Sequence, residues 1–150
     1  MLVRPLSPQE LPAAMRLARE VFLEFVAPDY SEEGRRNFLK FLEMEQILPL
    51  AGRGELFCYG CFAGDELIGM AATLGRDQIC LLFVQGAWQR QGAARRLFAE
   101  ILRHAPAGKP ISVHASPCGA PAYRRLGFVG EREAAADGMR FFPMVYHPAP

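Results

Sequence analysis

The chain has almost no excess of charge of either sign. Its 17 Lys and Arg stand against 16 Asp and Glu, a formal net charge of +1. No general attraction to nucleic acid or to an anionic membrane follows, so any contact with a polyanion must be local. Nowhere do about 18 apolar residues run without interruption, as a membrane-spanning helix requires. The start, Met1-Leu2-Val3-Arg4-Pro5, has no apolar run behind a basic opening, and a soluble cytoplasmic protein is the expectation. Trp88 is the one tryptophan, and no basic strand is studded with aromatics, which counts against single-stranded nucleic acid as a ligand. Repeats and low-complexity linkers are also missing.

Cysteine is sparse. Cys58, Cys61, Cys80 and Cys118 include one C-x-x-C spacing, Cys58-Tyr59-Gly60-Cys61, without the second ligand pair of a zinc site. Leu56 to Phe62 reads as a strand, in which residues three apart point to opposite faces, so one metal could not readily take both thiolates. No metal is expected, and buried thiols acting as small hydrophobes account for these residues. A chain of 150 residues, 51% of them hydrophobic, is one domain by size, spanning 1–150, with enough apolar side chains to fill a core.

What is present is an alternation of elements. Leu2 to Leu6 reads as a short strand. Ser7, Pro8 and Glu10 then form a helix start, and apolar residues at three- and four-residue spacing carry that helix from Leu11 to about Phe25. Ala27-Pro28-Asp29-Tyr30 interrupts it. A second helix is expected from Ser31 to near Leu48, and a loop from Pro49 to Gly54. Three strands follow, Leu56 to Ala63, Leu67 to Leu74 and Gln78 to Val84, made antiparallel neighbours by the short turns at Gly64-Asp65 and Gly75-Arg76-Asp77. A helix from Gly92 through Leu102 leads to a strand at Ile111 to Ala115, a parallel crossover. Helix Gly119 to Leu126 and strands Phe128 to Arg132 and Met139 to Tyr146 close the domain. The pattern is mixed α/β (α+β), with helices on a largely antiparallel sheet. The apolar strand Phe141 to Tyr146 offers an edge for pairing with a second copy as a homodimer, and covering its own sheet explains the same residues.

Chemistry concentrates at Gln89-Arg90-Gln91-Gly92-Ala93-Ala94, between a strand and a helix. The first N–H groups of a helix lack intrahelical partners and the peptide dipoles add positive charge there, so a phosphate can dock. Gly92, Ala93 and Ala94 let a pyrophosphate approach the backbone, while Gln89, Arg90 and Gln91 supply polar rims. With Tyr123-Arg124-Arg125-Leu126-Gly127-Phe128 farther on, the chain resembles the GNAT superfamily of N-acyltransferases. The superfamily's acyl-CoA loop reads Arg or Gln, two variable residues, Gly, one variable residue, then Gly or Ala, and its later element reads Tyr-x-x-x-Gly-Phe. Gln89, Gly92 and Ala94 match the first, and Tyr123, Gly127 and Phe128 the second.

The resemblance implies a sheet whose strands ending at Val84 and beginning at Ile111 splay apart to hold pantetheine. Main-chain groups around Phe83, Val84 and Gln85 would pair with it like an added strand. Acetyl-CoA is the implied co-substrate, and the acceptor a small-molecule or peptide amine. Tyr123 is implied as the general acid for the leaving thiolate, a phenol of reference pKa about 10 being protonated at neutral pH. The base is open. Many relatives carry Glu on the strand before the loop, whereas Gln78 to Val84 holds no carboxylate, which leaves Glu24, Asp29, His114 or a chain of waters. Ser116 stands where relatives often have Asn on the pantetheine arm. Phe25, Asp29 and Tyr30, with the loop Ala134 to Gly138, would wall the acceptor side. Arg90 is the arginine best placed for CoA phosphates, among Arg95, Arg96, Arg124 and Arg125. The function expected is acetyl transfer to a primary amine, the alternative being a non-catalytic acyl-CoA-binding or regulatory domain.

Overall fold

Two glycines set the middle of the sheet. In the computed structural model, which describes residues 1–149, Gly64 and Gly75 take positive φ of 60° and 62°. They fold β2 (Leu56–Ala63), β3 (Glu66–Leu74) and β4 (Gln78–Val84) into an antiparallel meander with Tyr59, Ala71 and Leu82 in register. β1 (Leu2–Pro5) pairs with β2 on the outside. Beyond β4, α4 (Ala93–His104) crosses over to β5 (Ile111–Ala115), which lies parallel to β4. α5 (Ala120–Leu126) then leads to β6 (Ala134–Ala136) and β7 (Met139–Tyr146), and the seven strands run in the order β1-β2-β3-β4-β5-β7-β6. The sheet is mostly antiparallel with one parallel pair at its centre, the anticipated α/β architecture. No helix among the described residues is long and apolar enough to cross a membrane.

Strand alternation sorts the side chains into two cores. Leu97, Phe98 and Ile101 of α4 pack with Tyr59, Cys61, Ile68 and Ile79. On the other face Ala14, Leu17 and Val21 of α1 (Leu11–Val21) pack with Cys58, Met70 and Leu81. Cys58 and Cys61 therefore sit on opposite faces, as their spacing in a strand requires.

Five expectations need correction. The α-helical hydrogen bonding of α1 ends at Val21, continues as a π-helical turn over Phe22–Val26 and tightens to a 3₁₀ turn over Ala27–Asp29. The single helix from Ser31 to Leu48 is two, α2 (Glu32–Phe41) and α3 (Met44–Gly52). Glu43 is extended, with ψ 141°, and its carbonyl accepts the N–H groups of Gln46 and Ile47 to start α3. Pro49 lies inside α3 and no loop begins there: one helical bond is lost, at an exposed position. The strand foreseen from Phe128 to Arg132 is reduced to a bridge between Val129 and Val145. Gly130 follows with φ 151°, and β6 forms where a loop was expected. Three alanines carry little strand preference, so β6 owes its existence to pairing with Met139, Arg140 and Phe141 across the Asp137-Gly138 turn.

Candidate functional site

β4 and β5 are paired at only two positions, Gln78 with Ser112 and Ile79 with Val113. The next residue of β4, Cys80, is an extra one: β3 pairs Thr73 with Ile79 and Ala72 with Leu81, so the strand bends there. Past this bulge the strands diverge, as anticipated. The Gln85 N–H donates to Ile68 O of β3 at 2.9 Å. Successive residues of a strand direct their polar groups to opposite edges, so Phe83 also turns its main chain to β3, while Leu82 and Val84 turn theirs to the gap. Of the three residues expected to have main-chain groups without ladder partners, Phe83 and Gln85 turn theirs to β3, and Val84, with Leu82, turns its own to the gap. The Phe83 ring points to the helices, 6.0 Å from Phe38.

The loop after β4 is tied down by its own glutamines. Gln89 Nε2 donates to Val84 O at 3.1 Å and Gln91 Nε2 to Ala87 O at 2.9 Å, so both fix the path of the chain ahead of their expected use as a polar rim. Arg90 and Gly92 have φ of 64° and 93°. The left-handed turn at Gly92 explains why glycine is needed, since a side chain there is strained even though no protein atom lies within 4 Å of where it would project. The first bond closing α4 runs from Arg96 N–H to Gly92 O at 3.0 Å. The N–H groups of Ala93, Ala94 and Arg95 precede it, a donor set suited to a diphosphate. Buried Ala93 anchors the first turn.

Tyr123 comes from α5. Gly127 caps that helix with φ 104°, and Phe128 N–H returns to Tyr123 O at 3.0 Å. A Cβ at Gly127 would lie 3.2 Å from the Tyr146 ring, and Phe128 is buried edge-on to Tyr123 at 5.3 Å. The Tyr-x-x-x-Gly-Phe pattern thus has a physical meaning: Gly turns the chain and Phe locks the helix that holds the tyrosine. The Tyr123 pKa is raised, by burial first and then by Cys80 and Tyr30. Burial likewise pushes the Cys80 thiol up to about 12. No buried side-chain oxygen among the described residues lacks a partner, so the Tyr123 hydroxyl, which has no intramolecular bond, keeps a little exposure although its ring is buried.

On the opposite wall the π-helical turn swings Glu24 and Phe25 toward the end of β4. A Cβ at Gly86 would meet Phe25 Cζ at 3.2 Å and Glu24 Oε1 at 3.9 Å. Tyr30 is anchored by Phe22, ring centroids 5.4 Å apart, and by Arg35, whose Nη1 donates to Tyr30 O at 2.7 Å. Burial, then the Asp29 charge, raises the pKa of both Tyr30 and Cys118. His114 is exposed on β5 and stacks on Phe141 at 4.4 Å. Ser116 has a local use: its Oγ accepts Gly119 N–H at 3.0 Å and shapes the entry to α5.

Most of the arginines are engaged elsewhere. Arg95 donates to Arg125 O at 3.2 Å, Arg96 to Met1 O at 3.2 Å, and Arg124 lies over the Phe142 ring at 5.4 Å. Exposed Arg90 stays beside the start of α4. A depression of about 790 Å³ is lined by Arg124, Phe128, Val129, Gly130, Glu131 and Arg132 and contains none of the residues expected to act, so volume does not locate the chemistry here. Among the described residues no three His, Cys, Asp or Glu side chains gather as a metal site would need.

Comparison with known proteins agrees with this geometry. The family model for the acetyltransferase (GNAT) domain matches residues 26–148. No curated protein matches. A GCN5-related N-acetyltransferase from Rhodopseudomonas palustris superposes with a TM-score of 0.83 at 20% identity, covering 98% of this chain and 95% of the other. The PaiA N-acetyltransferase from Thermoplasma acidophilum, solved with coenzyme A, gives 0.80 at 19% identity, with 98% of each chain covered. A ribosomal-protein-alanine N-acetyltransferase from Brucella melitensis gives 0.68 at 15%, covering 99% of this chain and 100% of the other. A strand pair that separates beyond a bulge, a glycine-led helix start at its mouth and a tyrosine beside it are joined here by a family match over most of the sequence: the chain belongs to the GNAT acetyltransferase family.

Proposed function

We propose that the protein transfers an acetyl group from acetyl-CoA to a primary amine by direct attack within a ternary complex. The N–H groups of Ala93, Ala94 and Arg95, with Arg90 at the rim, bind the diphosphate. Leu82 and Val84 pair with the amides of the pantetheine arm across the gap. The amine nitrogen attacks the thioester carbonyl carbon, and the Val84 N–H, turned into the gap, stabilises the oxyanion. As the carbon–sulfur bond breaks, the Tyr123 hydroxyl gives its proton to the thiolate. Burial keeps that hydroxyl protonated until the thiolate forms. The acceptor nitrogen loses its proton to Glu24, to His114 or to water.

The observation that carries this reading is the buried Tyr123, held at the end of α5 by Gly127 and Phe128, its hydroxyl without an intramolecular partner. Tyr123→Phe keeps the ring and removes the proton. Free-thiol release with acetyl-CoA and an amine panel should fall by about 10²-fold in kcat, while calorimetric affinity for acetyl-CoA holds. Unchanged turnover refutes the role of Tyr123. A second reading, an acyl-CoA-binding domain without chemistry, is favoured by the lack of a carboxylate on β4. It predicts full binding and no thiol release with any amine.

A further inference from the structure

The two halves of the sheet are tied together a second time, through α2 and the β6–β7 hairpin. β1 to β4 carry α1 and α2 on one face, and β5 carries the β6–β7 hairpin. Between them Ser31, at the start of α2, donates its N–H to Gly138 O of the hairpin turn at 3.1 Å and its hydroxyl to the same oxygen at 3.0 Å. That hydroxyl also accepts the Gly34 N–H at 3.0 Å. Asn37 Nδ2 donates to Asp137 O at 3.3 Å. The two backbones meet with no room for a side chain on either: a Cβ at Gly34 would lie 2.7 Å from Gly138 C, and one at Gly138 would lie 2.8 Å from Gly34 N. Gly34 is helical and buried, so glycine is required there by this contact and not by its own backbone angles.

The consequence is a closed ring. It runs from β4 to its pair β5, on to the β6–β7 hairpin, through the Ser31–Gly34–Gly138 contact to α2, and back to β4 where Phe38 packs on Phe83. Tyr30 precedes Ser31 in it, and His114 stacks on Phe141 of the hairpin. We propose that Ser31, Gly34 and Gly138 form a clamp that fixes the width of the acceptor mouth, so that the protein admits amines at the end of an unbranched chain and rejects those branched beside the nitrogen. This rests on the acyl-transfer reading. Ring closure supplies the selection: an open cleft could yield to a branched acceptor by moving one wall, whereas a ring must break hydrogen bonds and pull its touching backbones apart.

Gly34→Ala tests it, because Ala suits a helix interior and its methyl must push the hairpin away. The ratio of kcat/KM for hexylamine to that for cyclohexylamine should fall by about tenfold or more, the scale on which a pocket discriminates one branch, with KM for acetyl-CoA unchanged. Amide exchange at Ser31, slow in the natural protein, should quicken in the variant. A ratio unchanged while Ser31 exchange quickens overturns the proposal, and so does fast exchange at Ser31 in the natural protein. If no amine is turned over, the functional reading fails. The proposed selection among amines then falls with it, and Ser31 exchange reports only whether the contact itself holds.

Discussion

The two sides of the gap are built by different means. On the α4 side the groups proposed to bind are main-chain N–H donors, presented by a left-handed glycine and steadied by Gln89 and Gln91. On the α1–α2 side the groups proposed to meet the acceptor are side chains, Glu24, Phe25, Asp29 and Tyr30, held by a change of helix pitch and by a hairpin more than a hundred residues away in sequence. A site made of backbone asks little of the residues except that they be small, and it suits a ligand portion that never varies. A site made of side chains can change with the acceptor while the fold stays the same. The comparison teaches that the co-substrate and acceptor halves should fail separately.

The sharpest separation comes from their anchors. Leu97 is fully buried on α4, and its Cδ1 lies 3.3 Å from where a Cβ at Gly69 would sit. Leu97→Ala should cost about 2–5 kcal/mol in urea unfolding and, by loosening the helix that carries the donors, weaken acetyl-CoA in calorimetry. Phe38 belongs to the other side, stacked on Phe22 at 4.2 Å and edge-on to Tyr30 at 6.4 Å. Phe38→Ala should raise KM for the acceptor and leave acetyl-CoA affinity alone. If both variants weaken both ligands equally, the gap is one site and the comparison fails.

The same asymmetry decides what the sequence could reveal. The strands from Leu56 to Val84 fall within one residue of expectation, because Gly64 and Gly75 mark their turns and each strand is apolar enough to stand out. The start of α4 was legible for a related reason: a glycine followed by alanines has few other uses at a strand–helix junction. The acceptor wall was not legible. The π-helical turn over Phe22–Val26 continues an apolar spacing that reads as ordinary helix, and nothing local to Gly34 announces a contact with Gly138. The break at Glu43 was hidden because Phe38, Phe41, Leu42 and Ile47 keep an apolar rhythm across it. Which main-chain groups of β4 face the gap was not legible either, since one inserted residue at Cys80 sets their phase.

A smaller effect tests whether the loop on the α4 side is preshaped. Gly92→Ala places a side chain at φ 93°, a strain of about 1–2 kcal/mol. Melting should show that loss, and acetyl-CoA affinity should drop with it. Gln89→Ala removes the bond to Val84 O, about 1 kcal/mol, and should weaken acetyl-CoA by a few-fold without touching acceptor KM. If Gln89→Ala lowers affinity more than Gly92→Ala does, the glutamine contacts the ligand directly and its role is not confined to the loop.

The smallest effect belongs to a pair outside both regions and serves as their reference. Glu10 takes both Arg4 guanidinium contacts, at 2.8 and 2.7 Å, and accepts the Ser7 N–H at 2.9 Å, which hold its pKa at about 2 against an ordinary 4.5. A folded-state pKa below the unfolded one means that the unfolded chain binds the proton more readily as pH falls. The stabilisation is therefore whole above about 4.5 and drains away as pH drops toward 2. The pair is partly exposed, with side-chain accessibilities of 42% and 29%, so salt and solvent screen it and the melting shift should be slight. Glu10→Gln should lower the melting temperature at neutral pH by a few degrees at most, and the difference from the natural protein should vanish at the acid end. Because the pair touches neither side of the gap, acetyl-CoA and acceptor constants should stay fixed at neutral pH. A shift in either would mean that β1 and the first helical turn communicate with the gap, and the two sides could no longer be read independently of the scaffold around them.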